Sequence, residues 1–196
     1  MADRNLAHRP GRRVAVYGPS GSGKSTISRE IGRRLGLPVI ELDAVYHGPN
    51  WQDLDRETFR ERVRELLAAH PGGWVFDGNY SIVRDLILPH ADTVVWLRLP
   101  FLVVYPRLAW RTVRRAATGR ELWNGNREEW RMLFSKDSML LWGLTAWRRT
   151  TRNTGKALRT IPHQATVVQL RSPREVSRWL ARLPDPVASG GLDGGG

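Results

Sequence analysis

A single doubly wound α/β domain on a five-stranded parallel sheet is the fold this sequence predicts, and three observations predict it. Short, nearly continuous apolar runs alternate with amphipathic stretches, as strands covered on both faces by helices require. A glycine-rich loop joins the first apolar run to the first amphipathic stretch, close to the N-terminus. The chain has 196 residues, 41% hydrophobic and 26% charged, which is enough for one core without cross-links. It has no cysteine, so disulfides, thiolate metal sites and a cysteine nucleophile are excluded.

The elements follow in order. Arg12 to Tyr17 reads as a strand rich in β-branched residues, and about Lys24 to Leu35 as a helix closed by Gly36 and Pro38. Pro38 to Asp43 is the second strand. Phe59, Val63, Leu66 and Leu67 are spaced for one face of a helix over Arg56 to His70, which Pro71-Gly72-Gly73 ends. Trp74 to Asp77 is an apolar third strand running into Gly78. A short helix over Ser81 to Leu88 precedes a fourth strand, Asp92 to Leu99, and a helix over about Leu102 to Ala117. Thr118 to Asn126 reads as a loop, and Arg127 to Arg149 as a long helix. Ala165 to Leu170 is the last strand and Pro173 to Leu183 the last helix. The organisation predicted is a tail over residues 1–11, one domain over 12–183 with a helical lid over about 118–156, and a Gly/Pro-rich tail over 184–196.

The charge balance points to a polyanion. There are 31 basic residues against 19 acidic, net +12, and 28 of the 31 are arginine. From Arg98 to Thr160 there are 14 basic and 4 acidic residues, so most of the excess sits in one stretch. Guanidinium grips phosphate bidentately. Charge alone does not separate a nucleotide partner from a nucleic acid, nor either from a solvated surface.

One motif narrows the choice. Gly18-Pro19-Ser20-Gly21-Ser22-Gly23-Lys24-Ser25-Thr26 matches G-x-x-x-x-G-K-[ST] in full, between a strand and a helix. The glycines let the backbone curl so that its N–H groups face phosphate oxygens, and the following helix adds its positive end. Lys24 reaches the β- and γ-phosphates and the Ser25 hydroxyl suits Mg²⁺. The cofactors implied are ATP and Mg²⁺.

Ligands of such sheets bind at the carboxyl ends of strands. Asp77 ends strand three and suits the metal's water shell. Asp43 is read as the end of strand two, two residues from Glu41 and on the same face, and suits orientation or deprotonation of a hydroxyl acceptor. The plainer alternatives are a helix cap for Asp43 and an Asx turn for Asp77. His47 and Trp51 flank a Pro-Asn turn after Asp43, and Asn79 and Tyr80 follow strand three; these four are candidates to line the acceptor pocket. Either Asp53 or Asp55 can cap the next helix. Arg107, Arg111, Arg114 and Arg115 share much of one helix face, followed by Arg120 in the loop. Arg111, Arg115 and Arg120 are the candidates to stabilise transferring phosphoryl charge, with a solvated face or pairing to Glu121, Glu128 and Glu129 as the alternative.

These motifs together resemble the adenylate-kinase-like and shikimate-kinase-like P-loop kinases. That resemblance implies a metal and substrate site at Asp77-Gly78, and an Asp-x-Asp after strand two that stands here as Glu41-x-Asp43. It also implies, by position only, that the turn after strand five at Arg171 touches adenine. A closer resemblance rests on Leu42-Asp43, His47-Gly-Pro-Asn-Trp51, Val75-Phe-Asp-Gly-Asn-Tyr80, Gly119-Arg-Glu-Leu-Trp-Asn-Gly-Asn-Arg127-Glu and Lys136-Asp137. These are similar to the adenylate-kinase-related group often labelled "DNA topology modulation protein", over about Val14 to Leu183. The label implies a DNA-related effect; the residues imply a kinase. The resemblance leads one to expect an acidic residue where Arg98 stands and a basic one where Phe101 stands.

The leading expectation is an ATP-dependent kinase acting on a small-molecule or nucleotide acceptor. The alternatives are a nucleic-acid-associated protein with a regulatory nucleotide site, and a nucleotide-sensing switch. No apolar run approaches a membrane span and residues 1–13 lack a signal-peptide core, so a cytoplasmic protein without a membrane partner is expected. The oligomeric state is left open.

Overall fold

A computed structural model describes residues 8–48, 52–118 and 139–184. Its five strands are β1 (Arg13–Tyr17), β2 (Val39–Glu41), β3 (Trp74–Asp77), β4 (Thr93–Leu97) and β5 (Thr166–Leu170). They form one all-parallel sheet in the order β2-β3-β1-β4-β5. β1 lies between β3 and β4, so the chain winds outward in both directions from it. That switch of direction opens the crevice in which ligands of such sheets bind.

Successive residues of each strand point to opposite faces of the sheet, and each face has its own core. On one, Ala15, Tyr17, Ile40, Phe76 and Val94 pack against Phe59 and Val63 of α3 (Arg56–Ala69) and against Ile87 of α4 (Arg84–Ile87). On the other, Val14, Val16, Val75, Val95 and Val168 pack against Ile27 and Ile31 of α1 (Lys24–Leu35) and Trp179 of α7 (Pro173–Leu180). Because both faces are covered, the strand residues are buried with little alternation, as at β3, where all four residues are buried.

Two boundaries differ from expectation. β2 ends at Glu41, and Leu42–Tyr46 forms a short helix, α2, so Asp43 lies in a helical first turn instead of sharing a strand face with Glu41. The turn is forced by contact: a Cβ on Gly78 would meet Leu42 Cβ at 2.6 Å, so the chain after β2 bends over the end of β3. Of the long helix expected over 127–149, residues 127–138 lie outside the described residues, and the described part, α6 (Met139–Thr160), runs on eleven residues past Arg149. Arg149-Thr-Thr-Arg-Asn153 is a poor helical stretch by propensity. Burial of Thr154 and Gly155 carries it: Thr154 bonds to the end of β3, and Gly155 lies against the Trp96 indole. The second half of the expected lid region is thus the crossover helix into β5, lying on the sheet. The helix after β4 is α5 (Phe101–Thr118). Asp55, not Asp53, caps α3, accepting from the N–H groups of Glu57 and Thr58.

Candidate functional site

The loop between β1 and α1 is shaped by its glycines. Gly21 has φ 82°, and a Cβ there would meet the Val104 carbonyl of α5 at 2.7 Å, so glycine is needed for both conformation and space. The Ser22 N–H donates to the Pro19 carbonyl at 3.1 Å, closing the curl. α1 starts at Gly23 with no side-chain cap and no acidic residue in its first turn. Its first N–H groups therefore keep their capacity for an anion, and the helix dipole favours one.

The strand ends bring the charged groups to this loop. Asp77 pairs in register with Val16 on one side and Glu41 on the other, so it stands at the centre of the ligand edge. It is only 5% exposed, and its Oδ1 is buried with no partner among the described residues. Burial pushes its carboxyl above the usual range; Lys24 and a hydrogen bond from the Ser25 hydroxyl pull it back, while Asp43 and Glu41 add to the rise. Lys24 is half-buried and donates to the Pro19 carbonyl at 3.3 Å. Burial lowers its ammonium pKa, Asp77 and Asp43 oppose that, and Arg111 reinforces it. The four groups act on one another in one small space. Arg111 comes from α5 and donates from Nη2 to Ser20 Oγ at 3.0 Å, so one arginine of the predicted set reaches the loop.

On the other side of Asp77 lies a polar chain. The Tyr80 hydroxyl donates to Asp43 Oδ1 at 2.7 Å and lies 3.3 Å from His47 Nε2. His47 Nδ1 is 2.6 Å from Asp53 Oδ1. The backbone holds this wall in place through the His47–Asp53 bridge and the Gly48 N–H to Gln52 carbonyl bond at 2.8 Å. Burial, then the charge of Asp43, raises the Tyr80 hydroxyl well above the ordinary phenol range, so it stays a donor. Asp43 Oδ1 is thereby occupied, and its second oxygen makes no hydrogen bond among the described residues.

Asn79 is placed differently. Its amide donates to the Gly18 carbonyl at 3.4 Å and accepts from Arg84 at 2.7 Å and from Thr154 at 3.3 Å. It ties the loop to α4 and α6 rather than facing a pocket. Arg84 is a residue that motif reading passed over. It is 4% exposed, lies over the Tyr17 ring at 5.5 Å, and has no carboxylate partner among the described residues. Burial lowers its pKa. Its signal in the sequence is a charge on the same helical stripe as the buried Ile87 and Leu88. At Arg171 the backbone N–H is taken by Glu175 at 2.7 Å and the guanidinium by Gln169 at 2.9 Å. Trp51, Arg120 and the side chain of Arg115 lie outside the described residues.

Gly18, Ser20, Gly21, Ser22, Gly23, Lys24, Ser25 and Thr26 thus form one continuous loop and helix start, with Asp77, Asp43 and Arg111 around it. Comparison with solved structures places this architecture. Shikimate kinase from Bacteroides thetaiotaomicron superposes with a TM-score of 0.51 at 16% identity, covering 87% of this chain and 95% of that one. Shikimate kinase from Acinetobacter baumannii, in complex with shikimate, gives 0.51 at 18% identity, covering 91% and 92%. The chain has the P-loop kinase fold.

Among sequences, the family model described as Cytidylate kinase matches residues 14–78, which run from β1 through Asp77-Gly78. A cytidylate kinase of Rhodopirellula baltica is 25% identical over 122 residues, covering 59% of this chain and 53% of that protein. One from Shewanella pealeana is 33% identical over 87 residues, covering 43% and 38%. A bifunctional pantoate ligase/cytidylate kinase of a Synechococcus strain is 44% identical over 117 residues, covering 54% and 22%. The chain spans about half the length, or less, of these curated relatives. No helix among the described residues is long and apolar enough to cross a membrane.

Proposed function

We propose that this chain is an ATP-dependent phosphotransferase of the P-loop kinase type. The reading is carried by one juxtaposition: an uncapped helix start and the Lys24 ammonium beside the buried Asp77 carboxylate. A nucleotide triphosphate fits the first two, and a divalent metal fits the third. Asp77 Oδ1 is an orphaned buried oxygen and Ser25 offers a hydroxyl next to it, a hard oxygen set that suits Mg²⁺. Among the described residues there is no cluster of three or more His, Cys, Asp or Glu to hold a metal alone. Ser25 and Asp77 would therefore share the ion with the nucleotide's phosphates, and the ion would supply neutralisation of their charge.

This chain's own residues account for the rest. Lys24 and the α1 N–H groups hold the phosphates, and Arg111 stabilises charge that develops during transfer. Asp43, fixed by Tyr80, accepts the proton of an acceptor hydroxyl through its second oxygen. The acceptor oxygen bonds to the γ-phosphorus as the bond to the leaving oxygen breaks, and the electron pair departs with ADP. Turnover thus needs Asp43 ionised and Tyr80 protonated.

The wall around Asp43 supports a hydroxyl acceptor over a nucleoside monophosphate. Asp43 and Asp53 stand there, with Tyr80 and His47 between them, and two carboxylates disfavour a phosphate dianion. The narrower likeness to the topology-modulation group enters only through the same residues, and those imply kinase chemistry. The test is a panel of acceptors incubated with Mg·ATP, sugar acids and other polyols against nucleoside monophosphates, scored for ADP above the acceptor-free rate. Stimulation by a hydroxyl acceptor supports this reading. Stimulation by monophosphates alone removes the role given to Asp43 as proton acceptor.

A further inference from the structure

A second concentration of charge lies away from the loop, where α6 crosses the end of β4. A cavity of about 390 Å³ opens there, and Arg98, Arg148, Arg152 and Arg159 line it. The last three are spaced by four and seven residues, so they form one stripe of the helix. No carboxylate among the described residues lines the cavity, and none of the four guanidiniums makes an ion pair among them. Arg148 and Arg152, four residues apart, repel each other and weakly oppose the helix unless an anion sits between them.

Two further observations point to a ligand. Thr151 Oγ1 and Trp96 Nε1 belong to residues of the cavity wall, and both are buried atoms with no hydrogen-bond partner among the described residues. Buried polar atoms are ordinarily paired, so these two leave unmet hydrogen-bonding capacity in the wall of the cavity. Arg98 is already positioned, its guanidinium 5.6 Å from the centre of the Trp96 ring, which limits its freedom and lowers the entropy lost on gripping a ligand. The helix itself is fixed at this point. Trp147 Nε1 donates to the Leu99 carbonyl at 3.2 Å, and Gly155 allows the backbone against Trp96.

We propose that this cavity is a second anion site, taking a small, multiply charged phosphate compound such as pyrophosphate or the polyphosphate tail of a free nucleotide. Four arginines lining one concavity offer guanidiniums to several phosphate oxygens. The volume falls in the range of small-molecule sites. A strand of nucleic acid would instead be met by basic groups spread along a surface. The site is separate from the Lys24 loop. Thr154, on a neighbouring face of the same helix, is turned to Asn79 and Arg84. The inference does not depend on the kinase reading.

The experiment is equilibrium dialysis of labelled pyrophosphate against the full chain at fixed salt. It compares wild type, Lys24→Ala, and the double variant Arg98→Ala/Arg152→Ala. Both arginines of the pair are exposed, so the variant should fold, and its circular dichroism melt is recorded alongside. Wild type should bind two equivalents. Lys24→Ala should keep the lateral one, and the arginine pair should keep only the loop, with lateral affinity down at least about tenfold. Duplex DNA should compete poorly. Unchanged binding in the folded arginine pair overturns the site, as does loss of all binding in Lys24→Ala. Displacement by DNA at lower phosphate concentration than pyrophosphate also overturns it, and makes the patch a nucleic-acid face.

Discussion

The Tyr80 hydroxyl, at the end of β3, donates to the Asp43 carboxylate in the first turn of α2 at 2.7 Å. This bond joins two strand ends that flank the same crevice, and it occupies one of the two Asp43 oxygens. Tyr80→Phe should keep the ring packing against Tyr46 and Phe59 and lose the bond alone. We expect a stability loss of about 1 kcal/mol and a fall in kcat of about tenfold with little change in the KM for ATP. Steady-state kinetics on both substrates, with a urea melt, check this; a change confined to the KM for ATP contradicts it.

Asp77 carries a stability cost that the role proposed for it requires. Burial raises its folded pKa above the unfolded value of 3.8, so between the two the folded state holds a proton that the unfolded state has released. Stability then falls as pH rises through that window. Asp77→Asn should therefore melt higher than wild type at neutral pH, with the difference shrinking to nothing as pH falls to about 4. Its turnover should be lost at the pH where it is more stable. Paired melting curves across pH give the sign directly, and a variant that melts lower at pH 7 refutes it.

Arg84 is a positioning residue. Its Nη2 serves the Asn79 carbonyl, the Asn79 side chain and Thr154, and through Asn79 it reaches the Gly18 carbonyl. Arg84→Met fills the space but removes these bonds. The expected cost is about 2–3 kcal/mol, or a fall in Tm of roughly 5–10 °C. The loop should also loosen, raising the KM for ATP more than it lowers kcat. Asp55→Ala is the comparison: loss of the α3 cap costs about 1 kcal/mol and leaves the KM for ATP unchanged.

Much of this was legible before the fold was seen, for identifiable reasons. The loop from Gly18 to Thr26 is contiguous, so its chemistry is written in neighbouring residues. β3 is apolar to its last residue, which marks Asp77 as a buried charge at a strand end. What escaped depends on contacts distant in sequence. Asp43 enters a helix because Leu42 must pass over Gly78, 36 residues on. Asn79 turns from the pocket because Arg84 and Thr154 claim its carbonyl oxygen. α6 outlasts its weak local propensity because β3 and β4 offer its Thr154 and Gly155 a place to pack. Local pattern does not carry such terms.

The measurement that bears most directly on the central claim follows the γ-phosphoryl group itself. Mg·ATP labelled at that position is incubated with the acceptor panel, and label is traced to ADP, inorganic phosphate or acceptor. The account predicts label on a hydroxyl acceptor in proportion to ADP formed, with transfer lost in both Lys24→Ala and Asp77→Asn while Arg98→Ala/Arg152→Ala retains it. Label that reaches only water, or transfer that continues undiminished in Lys24→Ala, would contradict it.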